Sequence, residues 1–181
     1  MQKVKIDLVS DVACPWCAIG YRRLEQALET LDGEIDVELV WQPLAAAEEL
    51  GLNFHGALER RANNTFAAHR VLAWAGTQNQ ETALQLALFE AYFGEAKNPA
   101  DPEVLREKAT EVGLDGDTAE AIARSDQYAD EVREAEQRFM DAGVIAVPAI
   151  ILDGRYLISG AQPADVLVDA LRQVAEESAN G

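Results

Sequence analysis

Cys14 and Cys17 are the two cysteines of a 181-residue chain, and they stand two residues apart in DVACPWCAIGYRRL. A thiolate can attack a disulfide sulfur, and a second thiol close by can then cleave the mixed disulfide and finish the exchange. A thiol becomes an anion near neutral pH where positive potential is available, and the unpaired N–H groups at the start of a helix supply it. Ile19, Leu24, Ala27, Leu28 and Leu31 recur at helical spacing after Pro15, which itself suits a first helical turn. Cys14 therefore falls at a helix N-terminus, where its pKa is expected below the value of an isolated thiol, about 8.5. Cys17 follows nearly one turn later, nearer the helix body. This order makes Cys14 the attacking sulfur and Cys17 the resolving one.

Pro15 and Trp16, between the sulfurs, tune how oxidising the pair is. Related pairs span roughly −270 to −120 mV, and the oxidising extreme belongs to proteins whose reduced form is stabilised. Trp16 cannot donate to the sulfur as a charged histidine would, so an intermediate potential is expected. Asp11, three residues before Cys14, has three readings: an antagonist of the thiolate, a proton acceptor for Cys17, or a solvated loop carboxylate. A zinc site would need four ligands. The two histidines, His55 and His69, match no zinc-finger spacing from Cys17, so no metal is expected. An inert buried pair or a structural disulfide closing a two-residue loop are the remaining alternatives.

The elements around the pair follow from periodicity. Val4, Ile6 and Leu8 alternate with polar neighbours as a first strand; Ile35, Val37, Leu39 and Trp41 do so as a second, interrupted by Pro43. With the helix from Pro15 to about Leu31 between them, they predict a parallel β-α-β unit. TFAAHRVLAWAG, QETALQLALFEAYFG and DPEVLREKATEVG then read as helices, the third with Asp101 as its N-cap, and a short helix is expected near Thr118–Arg124. Another helix spans Asp126 to Ala142. AIILDGRYLIS is a hairpin with Asp153-Gly154 at a type I′ turn, and ADVLVDALRQVAEE is a final amphipathic helix. The expected division is residues 1–44 and 125–181 as an α/β domain, with 45–124 as an all-helical insertion.

Composition narrows the function. Fifteen basic against 32 acidic residues give a net charge of −17, which opposes binding to a phosphate backbone. No run of 18 apolar residues and no leader-like opening is seen, so neither membrane nor export is expected; the predicted site of action is the cytoplasm, where disulfides tend to be transient and catalytic. A chain of this length buries roughly 70% of its unfolded surface, so stability does not require a disulfide staple.

CPWC at the first strand–helix junction, a helical insertion after the second strand, and VPAIILDG before a final helix resemble the DsbA-type thioredoxin-like fold. SDVACPWCAIGYRRLEQAL, NNTFAAHRVLAWA, ALFEAYF and GVIAVPAIILDGRYLISGAQP resemble its FrnE-like branch more closely. The resemblance implies thiol–disulfide oxidoreductase activity with disulfide isomerase character. It also implies that Val147-Pro148 docks the partner chain beside the sulfurs through a cis bond, although an X–Pro bond taken alone favours trans. His69 is a candidate for the substrate groove, with a hydrogen-bonded structural histidine as the favoured reading. The implied substrates are protein or small-molecule thiols and disulfides, with glutathione or a partner protein as recycler. No dissociable cofactor is required, and the chain is expected as a monomer or homodimer. The stretch between Leu44 and Asn63 is shorter than relatives usually show and lacks their Asn-Pro-rich segment. Glutathione-dependent chromene-carboxylate isomerases and kappa-class transferases share the fold, but generally carry serine where Cys14 stands and a different segment where this chain reads ISGAQP. Such an isomerase or transferase, and a non-catalytic partner-binding protein built on the helical block, are the alternative functions.

Overall fold

Val4, Ile6 and Leu8 are completely buried, and they anchor the strand around which one of the chain's two compact units is built. The computed structural model describes residues 2–44 and 64–180. His55 and the stretch between Leu44 and Asn63 that departs from the family pattern lie outside the described residues.

The first unit comprises β1 (Gln2–Ser10), α1 (Pro15–Thr30), β2 (Ile35–Pro43), β3 (Ala149–Leu152), β4 (Tyr156–Ser159) and α7 (Ala164–Asn180). Its four strands run in the order β2-β1-β3-β4. β3 pairs antiparallel with β1, Ile6 opposite Leu152 and Val9 opposite Ala149, and β4 folds back antiparallel on β3. The hairpin between them has the expected chemistry: Asp153 (φ 49°) and Gly154 (φ 66°) both take the left-handed conformation of a type I′ turn. Asp153 also accepts from the Lys5 amide at 2.7 Å, which ties the turn back to β1.

β1 is interior to the sheet, and its alternation breaks down toward its end, where Asp7 and Val9 are buried as well. A buried carboxylate needs partners. Gln42 of β2 donates to Asp7 Oδ1 at 2.7 Å, and the Lys5 ammonium lies 3.0 Å from the same oxygen. α1 and α7 pack together, and α7 also covers β1. Leu24, Leu31, Leu167 and Leu171 fill these contacts, each contributing about 1.5–3 kcal/mol by burial.

The second unit consists of residues 11–13 and 43–143, and among its described residues the regular elements are helical: α2 (Phe66–Gly76), α3 (Glu81–Phe89), α4 (Pro102–Glu111), α5 (Gly116–Ala123) and α6 (Ala129–Asp141). One π-helical turn, Glu90–Gly94, follows α3 where an uninterrupted helix was expected. The amide after it, Glu95 N, reaches back five residues to the Glu90 carbonyl. Val71, Leu84, Leu88, Leu105 and Ile122 form the core, and Val12 inserts among them.

The expected boundary at residue 125 differs from the observed division by one helix. α6 clusters with the helical unit because it packs on α2, and the Arg133 guanidinium lies 5.1 Å from the Phe66 ring centroid. The three residues 11–13, expected within the α/β domain, belong there too.

Candidate active site

α1 begins where the sequence places it. Cys14 is the N-cap residue, in extended conformation (φ −94°, ψ 114°), and Pro15 takes the first helical position. The Cys14 carbonyl accepts from the amides of Cys17 (3.1 Å) and Ala18 (3.4 Å), which closes the first turn and brings the two cysteines onto one end of the helix. Cys14 is half-buried, Cys17 is 1% exposed, and the two are not joined as a disulfide. A partly accessible first sulfur with a covered second sulfur behind it is the asymmetry that attack followed by resolution requires. Trp16, between them, is 59% exposed, and Ile19 after them is exposed as well.

The segment before β3 closes on the first sulfur. The Cys14 thiol lies 3.8 Å from the Val147 carbonyl oxygen, and the Val147-Pro148 bond is cis. Pro148 rests against α1 at Gly20, and its carbonyl accepts from the Gly160 amide at 2.8 Å. The sequence alone offers no sign of the Gly20 contact, because a glycine inside a helical pattern reads only as a weak spot.

Asp11 and His69 occupy the helical unit together. Asp11 is 2% exposed, so the solvated-loop reading of this carboxylate does not hold. Its Oδ1 lies 3.4 Å from the Ala13 amide and 3.4 Å from His69 Nε2, the latter near enough to pair with a protonated imidazole but short of a hydrogen bond. His69 is 5% exposed on α2 and offers a substrate almost no surface; it is a buried partner of Asp11 rather than an open groove residue. No spacing rule joins residues so far apart in the chain, which is why the pair escapes sequence reading.

Trp41, Trp74 and Phe89 are core side chains, as their patterns suggest, and Trp41 packs on Tyr21 with ring centroids 5.0 Å apart. Among the described residues no three His, Cys, Asp or Glu side chains gather as metal ligands would.

A sheet with flanking helices, a helical block inserted after the second strand, and a dithiol at the first helix start together define a thioredoxin-like domain of the DsbA type. Residues 5–172 match the model of the DSBA-like thioredoxin domain, and the chain belongs to that family. It is similar to a crystal structure described as a "probable DsbA oxidoreductase" from Streptomyces coelicolor, with 30% identity, a TM-score of 0.79 and coverage of 96% of this chain and 91% of that one. The Bacillus subtilis protein YwbO, described as uncharacterized, is 27% identical over 93% of this chain and 96% of its own length. A 2-hydroxychromene-2-carboxylate isomerase shares the fold at 16% identity, with a TM-score of 0.74 and coverage of 97% of this chain and 98% of that one.

Proposed function

We propose that this protein is a thiol–disulfide oxidoreductase of the FrnE-like branch, acting in the cytoplasm through Cys14 and Cys17. The observation that carries this reading is the half-buried Cys14 at the N-cap of α1, with Cys17 covered one turn behind it and the Val147 carbonyl 3.8 Å from the first sulfur. Amide groups of the first turn stabilise the Cys14 thiolate. That thiolate attacks one sulfur of a substrate disulfide, forms the mixed disulfide and expels the other sulfur as a thiolate. Cys17 then loses its proton and attacks the Cys14 sulfur, releasing the second substrate thiolate. Two electrons have passed to the substrate, and the protein is left as the Cys14–Cys17 disulfide. A small thiol such as glutathione, or a protein dithiol, returns it to the reduced state, and the same steps reversed oxidise a substrate dithiol. Attack by a third thiolate on the mixed disulfide gives isomerisation without net redox change. The exposed Trp16 and Ile19 offer a substrate chain apolar contact beside the sulfur, and the Val147-Pro148 edge offers backbone contact.

The test has two arms. Alkylation of Cys14 against pH is expected to show a midpoint well below about 8.5. A Cys17→Ala variant is expected to accumulate mixed disulfides in cells, which a Cys14→Ala control does not. A Cys14 midpoint at the isolated-thiol value with no adduct above that control would sink the reading. Glutathione-dependent isomerase activity that survives Cys17→Ala would move the chain to the alternative isomerase reading, in which the second sulfur is not needed.

A further inference from the structure

Gly20 sits in the interior of α1, one turn beyond Cys17, where glycine is less favourable than alanine. The helix itself does not call for it, since Gly20 is not among the positive-φ residues. The neighbour across from it does. A Cβ at position 20 would stand 3.0 Å from Pro148 Cγ and 3.5 Å from both Pro148 Cβ and Ala161 Cβ. A ring carbon on a backbone-locked residue cannot swing aside as the tip of a long side chain can, so Pro148 itself would have to retreat by a few tenths of an ångström.

That retreat would not stay local. The Gly160 amide donates to the Pro148 carbonyl at 2.8 Å, and the Arg23 guanidinium, one turn beyond Gly20, donates to the Ala161 carbonyl at 2.5 Å. Residues 147–148 and 160–161 are thus tied to each other and seated on α1 at Gly20 and Arg23. The same helix carries Cys14, whose sulfur faces the Val147 carbonyl. One rigid element therefore delivers the nucleophile and sets the distance of the edge beside it.

We infer that Gly20 is a positioning residue for thiol–disulfide exchange: its bare Cα lets Pro148 seat against α1, which holds the Val147-Pro148 edge at docking distance from Cys14 for an extended peptide carrying the reacting disulfide. This rests on the dithiol reading above. Displacing reacting partners by about 1 Å can cost on the order of 100-fold, so a shift of a few tenths is expected to cost roughly five- to tenfold in kcat/KM.

Gly20→Ala and Gly20→Ser in the full chain test this, because helix preference and size rank the three residues differently. Helix stability rises from glycine to serine to alanine, whereas bulk rises from glycine to alanine to serine. The expected result is that kcat/KM for reduction of a cystine-bridged peptide, with dithiothreitol as reductant, falls in the order Gly > Ala > Ser, glycine being the most active. The loss is carried at least partly by kcat, because the docked disulfide is held off line from Cys14, with the pH profile of Cys14 alkylation by iodoacetamide unmoved. In a Pro148→Ala background, which lacks the crowding Cγ, Gly20→Ala should cost less than twofold. Equal activities across the series, or activities that follow helix stability, overturn the role of Gly20 and leave the dithiol reading standing. A wild-type chain that neither turns over the peptide nor reacts early with iodoacetamide overturns the dithiol reading itself. Should the serine variant fail to fold, the alanine variant alone decides.

Discussion

Three helix starts in this molecule solve the same physical problem with different residues. α4 and α5, in the helical unit, open on Asp101 and Asp115, whose carboxylates accept from the amides of Glu103 at 2.9 Å and Thr118 at 2.6 Å. The Thr118 amide holds the Asp115 carboxyl below the usual carboxylate range. α1, in the sheet unit, opens on Cys14 instead. Each end offers unpaired amides and the positive pole of a helix. Aspartate turns that field into stability by bonding to it permanently. A cysteine in the same place leaves the field to act on a group whose charge and bonding change during the exchange proposed above. The cap position is where stability and chemistry compete, and the two units settle that competition in opposite ways.

Exchanging the residues breaks the comparison most sharply. Cys14→Asp should lower peptide-disulfide turnover by at least about 1000-fold, since only the covered sulfur of Cys17 remains, while raising stability by about 1 kcal/mol as α1 gains an ordinary cap. Asp115→Ala should do the reverse, costing about 1 kcal/mol and leaving turnover within about twofold. Urea midpoints and turnover measured on both variants check the pair. A Cys14→Asp protein no more stable than wild type would mean that the first turn of α1 is not an ordinary cap site, and the contrast between the units would fail.

The opposite helix end sharpens the contrast with a smaller effect. Arg70 of α2 is buried and donates to the carbonyls of Ile122 (2.8 Å), Ala123 (3.1 Å) and Ser125 at the close of α5. A guanidinium set against the negative pole of a helix satisfies carbonyls that have no partner within it. Burial lowers the Arg70 pKa from its ordinary value, but the group stays charged. In the sheet unit Arg23 makes the comparable bond to Ala161, but it is only half-buried and has one acceptor. Arg70→Met should therefore cost about 3 kcal/mol and Arg23→Met about 1 kcal/mol, read from urea denaturation. Equal costs would show that burial and acceptor number do not set the difference.

What could be read in advance divides along the same physical line. The dithiol at a helix start, the Asp101 cap and the Asp153-Gly154 turn are local, each decided by a few neighbouring residues, and each is found as expected. The contacts that build the site are not local. Gly20 and Pro148 meet across most of the chain, and their relation is a missing atom, which no pattern of residue types encodes. Asp11 and His69 are both polar and both deeply covered, while composition alone favours exposure for an aspartate in a loop. α6 has the amphipathic pattern of any surface helix, and that pattern does not say which unit it joins; in the structure it packs on α2. Val12 shows the same limit: it falls within residues 1–44, expected as part of the α/β domain, and is found in the core of the helical unit.

The smallest expected effect concerns a second titratable group at a helix start, with the opposite sign from the one proposed for Cys14. Glu81 is the first residue of α3, where the helix pole favours a carboxylate, yet burial pushes its carboxyl up to about 7. Desolvation outweighs the pole there. The folded protein therefore holds this proton more tightly than the unfolded chain does. The contribution of Glu81 to stability is complete below the unfolded value near 4.5 and is lost as pH rises through about 7. Glu81→Gln, uncharged throughout, should match wild type near the acid end of that window and exceed it by about 1 kcal/mol above the upper end, allowing for partial solvent screening. Urea midpoints at both ends decide it. A variant whose stability falls with pH as steeply as wild type would assign the dependence to other groups, and would leave burial too weak at this helix start to reverse the sign of the field that Cys14 is proposed to use.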